Sequence, residues 1–173
     1  MTSAFDVRLP PVGPSVTDHA RGMTQPPTGA ATGPLTVLTG MYAAEARYLA
    51  AGGPGTASFA VLAPFFAPDV VLHQADALPY GGIWRGHEGM ERFFVAMSGV
   101  WETFDMAEQE FLATGETGGP AVVLTQVRAR ARATGRELAF PILQTITVTD
   151  GRIAEVRPFY WDTGAVADAT RLP

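Results

Sequence analysis

Ile146-Thr147-Val148-Thr149-Asp150-Gly151-Arg152-Ile153-Ala154-Glu155-Val156 is the stretch that decides the fold. β-Branched residues alternate with polar ones on both sides of Asp150-Gly151, a dipeptide that tolerates the positive φ angles of a type I′ turn. The segment therefore predicts two antiparallel strands joined by a tight hairpin. Working back along the chain, Phe104 to Ala113, Ala121 to Thr134 and Glu137 to Thr149 are β-rich and separated by Gly-containing turns, and Arg152 to Tyr160 completes the run. Asp162 then stands where the N-cap of a short closing helix, Thr163 to Ala169, is expected.

The first half reads differently. Gly33-Pro34 opens a helical pattern in which Leu35, Leu38, Tyr42, Glu45 and Leu49 recur at steps of three and four, and Gly52-Gly53-Pro54-Gly55 ends it. Phe59, Leu62, Phe65 and Phe66 mark a second short helix that Pro64 kinks. Val70 to Gln74 reads as a strand and the segment through Pro79 to Trp84 as irregular. A third helix starts near Gly86, with Glu88 and Glu91 in its first turn and Phe93, Phe94 and Met97 on its apolar side. Helices first and antiparallel strands last is the α+β pattern. The expectation is a curved antiparallel sheet with helices packed on its concave face, enclosing a cone that suits a small molecule. Residues 1–33, rich in Pro, Gly, Thr and Ser, read as a flexible tail, and residues 34–170 as one domain.

Composition excludes several chemistries. The 173 residues are 47% apolar and carry a formal charge of -5. There is no cysteine, lysine or asparagine, so thiolate nucleophiles, disulfides, lysine Schiff bases and a lysine-bearing phosphate loop are excluded. All twelve basic side chains are arginines, which clamp anions but transfer protons poorly. The acidic balance argues against a nucleic-acid partner. No run approaches the ~18 apolar residues of a membrane span, and no basic stretch leads into an apolar leader at the N-terminus, so the default is a cytoplasmic protein with no membrane partner.

The ordered series Tyr48-Leu49-Ala50-Ala51-Gly52, Phe66-Ala67-Pro68-Asp69-Val70-Val71-Leu72-His73, Leu78-Pro79-Tyr80-Gly81-Gly82, Arg85-Gly86-His87-Glu88-Gly89, Ala133-Thr134-Gly135-Arg136, Asp150-Gly151-Arg152-Ile153 and Tyr160-Trp161-Asp162-Thr163 resembles SnoaL-like proteins of the nuclear transport factor 2 superfamily. That superfamily includes ketosteroid isomerases, polyketide cyclases and limonene epoxide hydrolase. The resemblance covers roughly residues 34 to 170 and implies the conical α+β fold. Since the fold hosts isomerases, cyclases, hydrolases and plain binding modules, it does not by itself select one.

Position by position, the resemblance is informative through absences. The carboxylate base that ketosteroid isomerases carry before a proline is matched here by Gln74, followed by Ala75. The arginine and aspartate that epoxide hydrolases set two apart on a central strand are matched by Gln126 and Arg128. The aspartate near the last strand is matched by Pro158 or Phe159. In this register Gln74, Gln126 and Gln144 point into the cone with Leu72, Phe140 and Ile142, the alternative being that one or more of the three faces solvent on the convex side, and the resemblance makes Arg128 the deepest cation, a candidate oxyanion partner. Periodicity on its own sets Arg128, Arg130 and Arg132 together on one face, either solvated or dimer-facing. The two readings of Arg128 conflict unless the strand carries a bulge.

The remaining candidates come from the residues themselves. Glu45 lies on the apolar stripe of the first helix, where desolvation would raise its pKa and make it a general acid or base, unless it reaches water at the edge of the stripe. Tyr42 falls near the place of a ketosteroid isomerase oxyanion donor, with core packing as the alternative. Asp76 with His73 could form a dyad at the mouth of the pocket, though alternation turns His73 away from Gln74. Tyr80 and Trp84, in a Gly-rich loop, are lid candidates, and Phe159 and Tyr160 are further lining aromatics. A metal would need His73, Asp76 and His87 together, and neither a metal nor a cofactor is expected.

The functional expectation is a cofactor-independent cyclase or isomerase acting on an apolar polyketide-, terpenoid- or steroid-like metabolite, as a homodimer through the convex sheet. Tyr42, Glu45, Gln74, Asp76 and Arg128 are its candidate catalytic groups. Leu72, Tyr80, Trp84, Gln126, Phe140, Ile142, Gln144, Phe159 and Tyr160 are its candidate substrate contacts. A non-catalytic binding module and an epoxide-hydrolase-like water addition are the alternatives.

Overall fold

Pro34 occupies the first turn of helix α1, where its missing N–H costs nothing, and the helix runs over Pro34–Ala50. Gly52 and Gly53 stop it: both have positive φ, and their N–H groups bond back to Leu49 O and Tyr48 O, closing the orphan carbonyls of the last turn. The computed structural model describes residues 33–116 and 119–171, so the expected tail, apart from Gly33, lies outside the described residues.

Two 3-10 turns, Phe59–Val61 and Ala63–Phe65, stand where one kinked helix was expected. Pro64 lies inside the second turn, and its lack of a donor suits such short pieces better than a continuous α-helix. Strand β1 follows over Phe66–Gln74, then β2 over Gly82–Arg85 and helix α2 over Gly86–Val100. The short β2, in a segment expected to be irregular, pairs antiparallel with β1, Trp84 opposite Leu72 and Gly82 opposite Gln74. Strands β3 (Trp101–Ala113), β4 (Ala121–Ala131), β5 (Glu137–Thr149) and β6 (Arg152–Tyr160) precede helix α3 (Thr163–Thr170). Asp162 caps α3, its Oδ1 accepting the Ala165 N–H at 2.8 Å. Asp150 and Gly151 both have positive φ, as a type I′ hairpin requires.

The six strands form one curved, unclosed sheet in the order β2-β1-β6-β5-β4-β3. All pairs are antiparallel except β1 with β6, which is parallel and bridged by the long excursion through the helices and the other strands. Helix α1 packs on β5 and β6, and α2 on β1, β2 and β3, so the helices cover the concave face. Leu38, Leu62, Trp101, Val123 and Ile153 are fully buried between these layers, each such aliphatic side chain contributing about 1.5–3 kcal/mol.

Strand β4 decides which residues face this interior. Its register with β5 is unbroken from Ala121 opposite Ile146 to Arg130 opposite Glu137. The irregularities on its other side fall at Trp101/Thr103, Met106/Glu108 and Phe111/Ala113, where β3 holds the extra residue each time. Strict alternation therefore holds along β4: Val123, Thr125 and Val127 are buried, while Gln126, Arg128 and Arg130 are exposed on the convex side.

Candidate functional site

A cavity of about 120 Å³, counted as space for the centres of water molecules, lies between α1, α2 and the concave sheet. Its wall is mostly apolar, and four methionines, Met41, Met90, Met97 and Met106, give it an adaptable surface. Six polar side chains interrupt it: Tyr42 and Glu45 from α1, Gln74 from β1, Thr125 from β4, Gln144 from β5 and Tyr160 from β6. Among the described residues no arginine or histidine lines it.

Glu45 is the unusual member. One helical turn beyond Met41 and one before Leu49, it is carried onto the buried stripe of α1 by the same spacing that buries its neighbours. It is half-buried and forms part of the cavity wall. Desolvation disfavours the carboxylate and pushes its pKa up from the ordinary 4.5 to about 7. Tyr42, three residues earlier, is raised by its own burial first and by the Glu45 charge second, so its hydroxyl stays protonated across the working range.

Three of the polar groups have a buried atom without a hydrogen-bond partner among the described residues: Tyr42 OH, Gln74 Oε1 and Thr125 Oγ1. An orphaned buried polar atom costs about 1–3 kcal/mol, so native interiors seldom leave several together. Here three of them line one cavity, the arrangement expected of ligand contacts.

Behind the wall, the Trp101 Nε1–H donates to Tyr80 OH at 3.3 Å, and Tyr80 OH lies 3.3 Å from Tyr160 OH. Burial raises both tyrosine pKa values, that of Tyr160 strongly, while a hydrogen bond from Gln74 works against the rise at Tyr160. The Phe140 ring packs against Tyr160 with centroids 6.0 Å apart.

The sequence candidates divide on this geometry. Tyr42, Glu45, Gln74, Leu72, Ile142, Gln144 and Tyr160 share the cavity wall. Gln126 and Arg128 do not: no bulge interrupts β4, so alternation carries both to the convex face. Asp76 is exposed in the loop after β1 and is not part of the cavity wall. Phe159, 56% exposed, faces out because it neighbours the inward Tyr160. Tyr80 and Trp84 are not lids. Tyr80 is fully buried, and Trp84 is half-buried with its Nε1–H donating to Tyr80 O at 3.1 Å. Phe140 belongs to the core behind the wall. His73 pairs with Glu155 at 3.0 Å on the convex side and His87 bonds Phe66 O at 3.0 Å. Among the described residues no cluster of histidine, aspartate and glutamate could hold a metal ion.

Sequence reasoning missed Thr125 and the methionines. The alternation between Val123, Val127 and the outward arginines was the available signal for Thr125. The methionines come from α1, α2 and β3, and nothing local announces that they converge.

Residues 46–156 match the SnoaL-like domain family model. No curated protein matches the sequence. Among solved structures, a nuclear transport factor 2-like protein from Burkholderia xenovorans LB400 is 22% identical, with 82% of this chain and 100% of that chain covered and a TM-score of 0.68. TerC, co-crystallised with polyporic acid, is 18% identical over 79% of this chain and 97% of its own, with a TM-score of 0.63. A candidate polyketide cyclase from Xanthomonas campestris pv. campestris is 18% identical over 79% and 96%, with a TM-score of 0.60. At these identities the likeness is one of fold. No described helix is long and apolar enough to cross a membrane.

Proposed function

The chain belongs to the SnoaL-like domain family, and from that premise we propose a cofactor-independent enzyme that cyclises or isomerises an apolar polyketide-, terpenoid- or steroid-like metabolite by proton transfer. The observation that carries this reading is Glu45, among the described residues the one carboxylate on the cavity wall, with its pKa pushed up to about 7. A carboxyl near half-ionisation at neutral pH can both remove and return a proton, the condition for general acid/base work. The Glu45 carboxylate takes a proton from the carbon next to a substrate carbonyl, and the C–H electron pair moves into an enolate. The enolate then recovers that proton at a conjugated carbon, giving isomerisation, or its carbon closes onto a second carbonyl, whose oxygen takes the proton, giving cyclisation. The neighbouring structures crystallised with a small molecule or described as a candidate cyclase support the substrate class.

The test needs no natural substrate. 2-Acetylnaphthalene in D2O reports proton abstraction as loss of its methyl proton signal. The protein is expected to accelerate this exchange with a rate that rises as pH passes through about 7, and Glu45→Gln is expected to lower it at least 100-fold. Equal rates for the two proteins contradict acid/base catalysis by Glu45. A binding module without turnover is the second reading, favoured by a cavity wall that has no second carboxylate or histidine among the described residues.

The same reading includes a homodimer through the convex face. Leu124, Leu143 and Phe159 stand in one register row across β4, β5 and β6, and Trp161 beyond them is 84% exposed. Such a row suits a self-complementary contact. Light scattering is expected to give twice the monomer mass, and a monomeric mass for Phe159→Asp.

A further inference from the structure

We propose that Tyr160 donates the hydrogen bond that receives the substrate's carbonyl oxygen, fed from behind by a one-way chain from Trp101 through Tyr80. The cavity on this account takes apolar ketones or enols that present one oxygen to the β6 side. The inference deepens the small-molecule reading of the cavity but does not depend on Glu45 moving a proton.

The direction of the chain follows from counting hydrogens. An indole N–H only donates, so at the Trp101 contact Tyr80 is the acceptor. Tyr80 is 1% exposed, and among the described residues the sole remaining partner of its hydroxyl is Tyr160. If Tyr160 donated to Tyr80, the Tyr80 proton would be left without an acceptor inside the core. With Tyr80 donating instead, every hydrogen along the chain is used, and the Tyr160 proton is left over at the cavity wall. Gln74 shares the cavity wall with Tyr160, and its influence favours negative charge on the Tyr160 oxygen. With Tyr80 already donating to its oxygen, the Tyr160 hydroxyl keeps its own proton to give to the cavity.

Two further features suit this group to a carbonyl or enolate oxygen. Burial holds the phenol protonated, so it remains a donor at any physiological pH. A series of hydrogen bonds pointing the same way polarises its last member, and this chain ends where water is scarce. The group is also held firmly. Trp84 Nε1–H fixes the Tyr80 backbone carbonyl, Phe93 meets the Tyr80 ring edge-on with centroids 6.0 Å apart, and Phe140 flanks Tyr160. Tyr80 and Trp101 are thus positioning residues, and Tyr160 is the group that touches the ligand.

Paired probes of one shape test the proposal: 2-acetylnaphthalene, which has the carbonyl, and 2-isopropenylnaphthalene, which does not. The wild-type protein is expected to bind the ketone on the order of tenfold more tightly than the hydrocarbon by titration calorimetry, the worth of one well-made hydrogen bond. The infrared carbonyl stretch of the bound ketone is expected to fall below its frequency in hexane. Tyr160→Phe should abolish both the preference and the shift while keeping hydrocarbon affinity, which also shows that the variant is folded. Tyr80→Phe should return the stretch part of the way, a readout that loss of packing alone would not produce. A ketone that binds no better than the hydrocarbon, or a preference that survives Tyr160→Phe, overturns the proposal. So does a preference lost in Tyr42→Phe and kept in Tyr160→Phe, since the oxygen would then sit on α1. Glu45→Gln separates the two readings: it removes proton exchange if Glu45 is the base, and leaves the carbonyl preference intact if the Tyr160 assignment holds.

Discussion

The two faces of one sheet hold the same kinds of group in opposite states. On the concave side Glu45, from the overlying helix, meets no cation among the described residues of the cavity wall, and desolvation pushes its pKa up to about 7. On the convex side Glu155 accepts a 2.7 Å hydrogen bond from Arg157 and one at 3.0 Å from His73, and Arg157 above all holds its pKa below the usual carboxylate range. Arginine follows the same division among the described residues, with Arg128, Arg130 and Arg157 outside and none in the cavity. The difference teaches that the raised Glu45 pKa comes from burial without a counter-charge. An inward arginine would lower the Glu45 pKa and make it a poorer proton carrier at neutral pH.

Exchanging the faces should break this arrangement most visibly. Val127→Arg forces a guanidinium into the cavity wall and is expected to cost about 4 kcal/mol or prevent folding, whereas Arg128→Val, one residue on, should stay within about 0.5 kcal/mol in urea denaturation. Similar costs for the two would mean that β4 does not alternate as described.

Next in size is the dependence of stability on pH. Glu45 has a raised pKa in the folded state, so between pH 4.5 and about 7 the folded chain holds a proton that the unfolded chain has released. Stability should therefore fall as pH rises through that window, by about 3 kcal/mol in all, and the fall should be absent in Glu45→Gln. Glu155 acts in the opposite sense: its lowered pKa contributes stability at neutral pH that is lost as pH falls through the acidic range. Denaturation midpoints of Glu45→Gln and Glu155→Gln measured across pH separate the two slopes.

The smallest effect concerns Thr125, whose buried hydroxyl has no partner among the described residues. Thr125→Val keeps the shape and removes the orphan, so the protein without ligand should gain up to about 1 kcal/mol. A loss of similar size would show that the hydroxyl is satisfied within the fold.

Much of the fold was legible because its signals are local. Asp150-Gly151, the Pro34 start, the Gly52-Gly53 stop and the Asp162 cap each depend on a few adjacent residues, and each stands as read. The parallel β1–β6 pair was not legible, because nothing within either strand records the direction of a neighbour more than 70 residues away in sequence. The site was readable where periodicity alone was followed: the stripe carrying Tyr42 and Glu45 leads straight to the cavity wall. It was misread where family correspondence outweighed periodicity. Gln126 and Arg128 were drawn inward by their counterparts' roles, while simple alternation from Val123 and Val127 would have turned them out and brought Thr125 in. The Trp101–Tyr80–Tyr160 chain joins residues 21 and 80 positions apart, a spacing with no local signature.

The central claim is that Glu45 is held near half-ionisation by a cavity without cations. Carbon-detected NMR of the side-chain carboxyls in protein labelled with 13C glutamate, assigned with Glu45→Gln, measures it directly. The account predicts one glutamate titrating at about 7, and an Glu45 midpoint at the ordinary value of 4.5 would contradict it.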